Sequence, residues 1–345
     1  MDNISLISVI IPFYNIGDYI KKTVRSLESQ TYKNFEVLFI NDGSTDNSLE
    51  ILEKLLKNVD FNYKLINLPK NKGVSNARNT GLVLAEGDYL YFLDADDYLT
   101  DNAFEKVMEM FAAENLDTVF FQFRRVDENE NLLENYNESF IDVNKIESSR
   151  DILFKYINLE IFIYTCSIFY SKRIIKDIFF NEIDYIEDQD FAIRVLLNSH
   201  KVGYINLELI NYLKREGSIM NSKFNLKILD KIKLFDIFFK QYEMEDSELS
   251  ELFFKRGARE ILWITRAYIK GEKELKIREM KKYIKKNIFN DKIMSHVSKK
   301  GIKYLDTKHK MQFFLLKYFP FLFIKSVQVL KVNRSTLTYY KKKGI

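Results

Sequence analysis

The sequence predicts an α/β fold: a mostly parallel, doubly wound sheet followed by a helical C-terminal region. Three observations carry this. Over the first hundred residues, short apolar runs alternate with segments of helical spacing and are joined by short connections, as in successive βα units. The first run, Ile7–Phe13, is apolar almost throughout and rich in β-branched residues, as a strand covered on both faces requires. Beyond about Phe224 the pattern is almost entirely helical and rich in Lys, Leu, Ile and Phe.

The elements follow in order. After Ile7–Phe13, residues Asp18–Gln30 place Ile20, Val24 and Leu27 at helical spacing, entered through Gly17. Phe35–Ile40 is a second strand. Asp46–Leu56 is a second helix, presenting Leu49, Leu52, Leu55 and Leu56, with Ser44 or Thr45 as a candidate N-cap. Tyr63–Leu68 reads as a third strand, Gly73–Ala85 as a third helix and Tyr89–Leu93 as a fourth strand. The pattern then loosens. Asn102–Glu114 is helical, Thr118–Val126 strand-like and Asp127–Asn137 a polar connection, while Glu147–Ile157 and Asp190–Ser199 read as helices. A boundary is placed near 220–225, and no repeat of domain-building length is visible.

Composition excludes several classes. With 46% hydrophobic and 15% aromatic residues the chain can bury a core and is not a disordered protein. The single Cys166 excludes a disulfide framework and a thiolate zinc site, and His200, His296 and His309 are too scattered for a His-rich metal site. The first apolar run lacks the basic flank and small-residue cleavage site of a signal peptide, and nowhere do 18 apolar residues run together. A cytoplasmic location is expected, with peripheral contact at the inner face of the cell membrane left open. The net charge of +4 hides a split: residues 270–345 hold 21 Lys+Arg against 5 Asp+Glu, a net of +16, and residues 1–269 carry −12.

Polar residues cluster after each of the first four strands, where open α/β sheets bind ligands. They are Pro12-Phe13-Tyr14-Asn15, Asn41-Asp42-Gly43-Ser44-Thr45-Asp46, the segment Asn71–Asn79 with Lys72 and Arg78, and Asp94-Ala95-Asp96-Asp97. Each alone could be a turn, a cap or a solvated face; the fold collects them at one edge. Asp94 and Asp96, flanking one residue, can both serve one hard cation, with phosphate oxygens completing the shell of Mn²⁺ or Mg²⁺. Asp42 can accept from the N–H edge of a base. Lys72 and Arg78 can neutralise a diphosphate. Further on, Tyr185–Phe191 opens a helix with Glu187, Asp188 and Asp190, which can be caps or can supply a general base.

These segments, SVIIPFYN, FEVLFINDGSTD, NKGVSNARN, FLDADD and IEDQDF, together resemble the family 2 glycosyltransferases of the Rossmann-like GT-A fold, over about residues 6–220. The resemblance implies an inverting transfer of a sugar, most often from a UDP-sugar, to a hydroxyl of a glycan or lipid-linked acceptor in bacterial surface polysaccharide assembly. It implies that Pro12, Tyr14 and Asn15 line the nucleoside pocket, that Asp42 binds the base, and that Arg78 lies near the nucleotide. It further implies that Asp94-Ala95-Asp96 is the metal-binding DxD, with Asp94 towards the ribose and Asp96 as direct ligand of Mn²⁺ or Mg²⁺. Asp188, paired with Glu187, would be the base, and Arg215, followed by Ser218, resembles a loop that closes over the diphosphate. Residues 1–222 are then the catalytic domain, divided into a nucleotide-binding half, 1–100, and an acceptor half, 101–222; residues 223–345 form the basic helical region. Two other classes stay open: a non-catalytic membrane or assembly module of the same fold, and a sugar-phosphate nucleotidyltransferase. The latter would need a Gly-rich loop where Pro-Phe-Tyr-Asn stands.

The basic region lies outside these motifs. Gln312–Val332 is Phe-rich and interrupted by Lys317, Pro320 and Lys325, so it is too polar to span a bilayer, and Pro320 should kink or restart a helix. Lys273–Lys286 is a Lys-rich helical stretch. The region is either a helical bundle with solvated Lys or an interfacial element set against an anionic membrane surface. A homo-oligomer is compatible with the chain; no nucleic-acid partner is expected, because no recognised module accompanies the charge.

Overall fold

A computed structural model of the chain describes residues 5–134, 146–158, 161, 164–183, 186–215, 234–235, 237–238, 246–272, 275–288 and 302–329. The chain divides into two compact units. The first comprises Met1–Tyr156, Ile161–Ile183 and Glu187–Glu216; the second comprises Ile157–Glu160, Asp184–Ile186 and Gly217–Ile345. The boundary expected at 222/223 lies outside the described residues, as do Tyr185, Ser218 and the end of the Phe-rich stretch.

The first unit is built on one mixed sheet. Its strands are β1 (Ile7–Phe13), β2 (Phe35–Asn41), β3 (Asn62–Asn67), β4 (Tyr89–Phe92), β5 (Tyr98–Leu99), β6 (Thr118–Val126), β7 (Leu132–Glu134), β8 (Ile146–Ser148), β9 (Ile168–Ser171) and β10 (Lys201–Leu213). The order is β3-β2-β1-β4-β9-β6-β10-β5, with β7 beside β6 and β8 beside β10. β3, β2, β1 and β4 are mutually parallel, in the register Ile7 to Phe35, Ile7 to Tyr89 and Val37 to Tyr63. β9 runs antiparallel between β4 and β6, and β6 is parallel to β10. The C-terminal ends of β1, β2, β3, β4, β6 and β10 therefore share one edge, and the loops leaving them build the site.

Helices cover both faces. α1 (Ile20–Glu28) is preceded by a 3-10 turn at Gly17–Tyr19; α2 is Ser48–Leu56, α3 Val74–Leu84, α4 Ala103–Ala113, α5 Ser149–Ile157, α6 Lys172–Ile175 and α7 Glu187–Asn198. β1 and β2 are buried at every position, because each has a helix layer on both sides. Alternate residues Val9, Ile11, Val37, Phe39, Tyr91 and Leu93 enter one core with Val24, Leu27, Phe104 and Phe169. On the other face α3 closes onto β1 through Gly81, where a Cβ would lie 2.3 Å from the Ile10 side chain.

The second unit is helical among its described residues. α8 (Ser247–Gly271) is capped by Asp246, which accepts from Leu249 N at 3.0 Å. α9 (Ile277–Tyr283) continues as a π-helical turn through Ile288. α10 (Thr307–Tyr318) is capped by Asp306, which accepts from His309 N at 2.9 Å, and α11 is Pro320–Val329. Pro320 restarts the helix as its first residue, where the missing N–H costs nothing. Ile261, Leu262, Met280, Phe313, Leu316, Phe323 and Ile324 form this unit's core.

Candidate active site

The loops after β1 and β2 are tied to each other by side chains. Asn15 adopts a left-handed backbone (φ 48°) and its Oδ1 accepts from Thr45 N at 2.8 Å. Its backbone N–H donates to Ser44 Oγ at 3.1 Å. Ser48 Oγ accepts from the amides of Ile16 and Gly17, each at 2.8 Å. That duty explains why α2 starts at Ser48, with Asn47 at the N-cap and no side-chain cap, rather than behind Ser44 or Thr45. Gly43 has φ +71°, and a Cβ there would stand 2.7 Å from the Lys70 carbonyl carbon, so only glycine lets the two loops approach so closely.

Asp42 is buried at the end of β2 and holds the next loop. Its Oδ1 accepts from Lys72 N at 3.0 Å and its Oδ2 from Gly73 N at 2.8 Å. The Lys72 side chain is exposed, as is Tyr14, while Pro12 is buried within β1. Each carboxylate oxygen of Asp42 keeps a second lone pair for a further donor.

Arg78, on α3, is the hub of the acidic side of the edge. Its guanidinium is almost fully buried and lies over the Phe180 ring, 5.2 Å from the centroid. Nη2 donates to Asp94 Oδ1 at 3.0 Å, and Nη1 donates to Glu187 Oε1 at 3.1 Å and to Asp188 Oδ1 at 2.5 Å. Asn79 fixes the same helix from the next position, donating to Phe180 O at 2.8 Å and accepting from Phe180 N at 2.7 Å. Instead of an arginine free to neutralise a diphosphate, the structure has one whose charge is committed to three carboxylates. It joins the loop after β4 to the first turn of α7.

The second half of the DxD pairs elsewhere. Asp96 Oδ2 lies 2.8 Å from Arg215 Nε, beyond the end of β10, and the Arg215 guanidinium stacks over Tyr19 at 5.4 Å. Asp97 is buried; its Oδ1 accepts from Leu213 N at 2.9 Å, while Oδ2 has no hydrogen-bond partner among the described residues. Thr23 Oγ1 donates to the carbonyls of Ala95 and Asp97 at 2.7 and 2.8 Å, pinning the turn to α1. Two contacts thus clamp the 94–97 turn to the 213–215 segment.

Crowding of acids in a dry pocket shapes their protonation. Burial, then the charge of Asp188, holds Glu187 up to about 7. Burial raises Asp188 too, although Arg78 opposes it. Asp96 is raised by burial and by Asp94, against the pull of Arg215, and Asp97 is raised well above the carboxylate range by burial and then by Asp96 and Asp94. Arg78 stays charged, because the carboxylates outweigh the cost of its burial. Asp190, by contrast, is tied to Arg194 at 2.5 Å and to Asn181 at 2.9 Å, away from the hub.

The structure therefore brings together Arg78, Asp94, Glu187 and Asp188 as one cluster and Asp96 and Arg215 as a second, with Ala95 buried between the two carboxylates. Asn15 and Asp42 organise the neighbouring loops. Sequence reasoning assigned no role to Asp97, Asn79, Phe180 or Ser48. Asp97 and Asn79 stood in the quoted motifs; Phe180 and Ser48 carry no signal a motif can show. Among the described residues no group of three or more His, Cys, Asp or Glu could hold a metal by itself. The hard oxygens of Asp94 and Asp96 suit a divalent cation only if a ligand supplies the remaining donors.

A mostly parallel sheet thus gathers paired carboxylates and a buried arginine at its C-terminal edge, where open α/β sheets bind their ligands. The Glycosyl transferase family 2 model matches residues 8–179. The Escherichia coli enzyme UDP-Glc:alpha-D-GlcNAc-diphosphoundecaprenol beta-1,3-glucosyltransferase WfaP is 30% identical over 230 residues, 64% of this chain and 81% of that protein. Glycosyltransferase GlyG of Streptococcus pneumoniae is 29% identical over 227 residues, 64% of this chain and 75% of GlyG. Other matches span less of the relative: 114 residues, 45% of a Haemophilus influenzae glycosyltransferase, and 222 residues, 31% of Streptococcus pneumoniae GlyA. The structure of Staphylococcus aureus TarS 1–349 in complex with UDP-GlcNAc superposes with a TM-score of 0.73 at 22% identity, covering 93% of this chain and 90% of TarS 1–349. The chain belongs to glycosyl transferase family 2, and its fold is of the GT-A type.

Proposed function

We propose that this chain is an inverting glycosyltransferase that moves a sugar from a UDP-sugar to a hydroxyl of a glycan or lipid-linked acceptor in surface polysaccharide assembly. The observation that carries the reading is the convergence of Asp94 and Asp188 on Arg78, because it sets a candidate base beside the turn that bears the DxD. The activity for which WfaP is named, a glucosyl transfer to a lipid-linked acceptor, and the UDP-GlcNAc bound to TarS agree with that donor and acceptor class.

In this reading Pro12, Tyr14 and Asn15 line the nucleoside pocket, Asp42 accepts from the base, and Lys72 and Arg215 face the phosphates. Asp188 takes the acceptor's proton as its oxygen attacks the anomeric carbon opposite the leaving diphosphate. Of the two acids at the start of α7, Asp188 is the more accessible, its side chain 32% exposed against 14% for Glu187. Arg78 positions it and opposes the rise that burial imposes on its carboxyl. Asp96 and Asp94 would hold Mn²⁺ or Mg²⁺ together with the diphosphate. The cation, when bound, supplies positive charge to the departing phosphates.

Calorimetry with a panel of UDP- and GDP-sugars, with and without Mn²⁺, tests the donor side. Binding of a UDP-sugar that needs the metal in the wild type, and is weakened in Asp96→Ala, is expected. A chain that binds no nucleotide sugar, or a product of retained anomeric configuration, overturns the reading.

A further inference from the structure

In the helical unit, the hairpin of α10 and α11 exposes apolar surface that its core does not use. Phe313, Leu316, Phe323, Ile324 and Val327 face inward and are buried. Met311, Phe314, Tyr318, Phe319, Phe321 and Leu322 are all exposed, by 48 to 60%. The first three recur three and four residues apart, so they share one face of α10. Phe314 lies 5.0 Å from Tyr318 and 5.9 Å from Phe319 between ring centroids, and Phe321 and Leu322 follow directly at the start of α11. Single exposed apolar residues are ordinary on a protein surface; six within twelve positions make a patch that calls for a partner.

The charge around the patch says which partner. From Thr307 to Ile345 the sequence has nine Lys+Arg and no Asp or Glu. On the described helices Lys308, Lys310, Lys317 and Lys325 are exposed. Lys317 Nζ sits 5.1 Å from the Tyr318 ring centroid and Lys325 Nζ 4.9 Å from that of Phe321, so cations are interleaved with the aromatic rings. The complementary surface is apolar just beneath a layer of negative charge. A second copy of this hairpin would instead set like charge against like. No described helix is long and apolar enough to cross a membrane, so the hairpin can only lie along such a surface.

We propose that the α10–α11 hairpin docks in the interface of an anionic lipid bilayer, with Phe314, Tyr318, Phe319, Phe321 and Leu322 among the acyl chains and the lysines at the headgroups. This is a second binding surface, separate in its chemistry from the donor site, and it does not depend on the identity of the sugar.

Sedimentation of the whole chain with vesicles tests it, comparing pure phosphatidylcholine with phosphatidylcholine containing about one third phosphatidylglycerol. Binding to the anionic vesicles that weakens as salt is raised is expected. The combined variant Phe314→Ser, Phe321→Ser and Leu322→Ser should lower the partition coefficient by about tenfold or more, with an unchanged thermal midpoint because these side chains are exposed. The combined variant Lys310→Gln, Lys317→Gln and Lys325→Gln should weaken binding to anionic vesicles and leave binding to neutral vesicles as it was. This second set keeps the test decisive if the serine variant is destabilised. A wild type that stays in the supernatant, or variants that both sediment like the wild type, overturn the proposal. So does an oligomer, detected by sedimentation velocity, that the serine substitutions disperse without any vesicle binding; the face would then be an interface between copies.

Discussion

Arg78 Nη1 lies 2.5 Å from Asp188 Oδ1, across 110 residues of chain; the guanidinium is almost fully buried over the Phe180 ring, while the carboxylate, in the first turn of α7, is partly open to solvent. The same guanidinium reaches Glu187 and Asp94. Its planar fork satisfies three carboxylates from two segments at once, which a lysine ammonium on a flexible stem cannot reproduce.

Removing that charge leaves three partly buried acids facing each other around the cavity of a buried side chain. Arg78→Met should cost about 3–5 kcal/mol of folding stability, as expected when one partner of a buried ion pair is deleted. Arg78→Lys should cost less in stability yet still lower turnover, because the charge survives and the geometry does not. Urea unfolding of both variants checks this; a loss below about 1 kcal/mol for Arg78→Met would mean the cluster is not the support that its distances indicate.

Asp188 and Asp190 sit two residues apart in the first turn of α7 and should behave oppositely. Asp188→Asn is expected to lower transfer by about two to four orders of magnitude while leaving nucleotide binding nearly intact. Asp190 is occupied by Arg194 and Asn181, so Asp190→Asn should reduce thermal stability and leave turnover per folded molecule close to wild type. Steady-state kinetics beside melting curves separates the two; an Asp188→Asn variant of near-wild-type turnover would reassign the base to Glu187.

Stability should carry the signature of Glu187. Burial and the neighbouring Asp188 hold its carboxyl at about 7 against 4.5 for an ordinary glutamate. Between these values the folded protein keeps a proton that the unfolded chain has released. The contribution of Glu187 to stability is therefore full at low pH and is lost as pH rises through about 7. Relative to Glu187→Gln, the wild type should lose no more than about 3 kcal/mol across that window. Urea midpoints of both proteins, taken at several pH values from about 4.5 to about 8, check the sign; a wild type whose stability relative to Glu187→Gln rises with pH contradicts the buried, crowded environment of this group.

Much of the nucleotide half of the fold was legible because its strands are buried on both faces. β4 is an unbroken apolar run, and β1 and the Phe35–Ile40 run of β2 are each interrupted by a single polar residue, Ser8 and Glu36. β6 was placed at its observed bounds. β9 and β10 were not foreseen. β9 has four residues and owes its existence to antiparallel pairing with both β4 and β6. β10 is long, but a register shift near Glu208 breaks the alternation a single strand would show. Helix starts moved for tertiary reasons: α2 begins at Ser48 because its hydroxyl serves Ile16 and Gly17, and α7 begins at Glu187 rather than Asp190, so its leading acids stand in the favourable field of the helix N-terminus.

The amino-acid sequence by itself determined the inventory of the site: which polar segments leave the strands, and that carboxylates and arginines would meet at one edge of the sheet. Apolar periodicity is a local property, and it suffices to order βα units and to place the loops between them. Partnership is not local. Only the tertiary structure decided that Arg78 serves Asp94, Glu187 and Asp188, that Arg215 serves Asp96, and that Asp42 holds the Lys72–Gly73 backbone. A charge or hydrogen-bonding group withdrawn from water must find its complement within about 3 Å, and which complement that is depends on how distant segments pack.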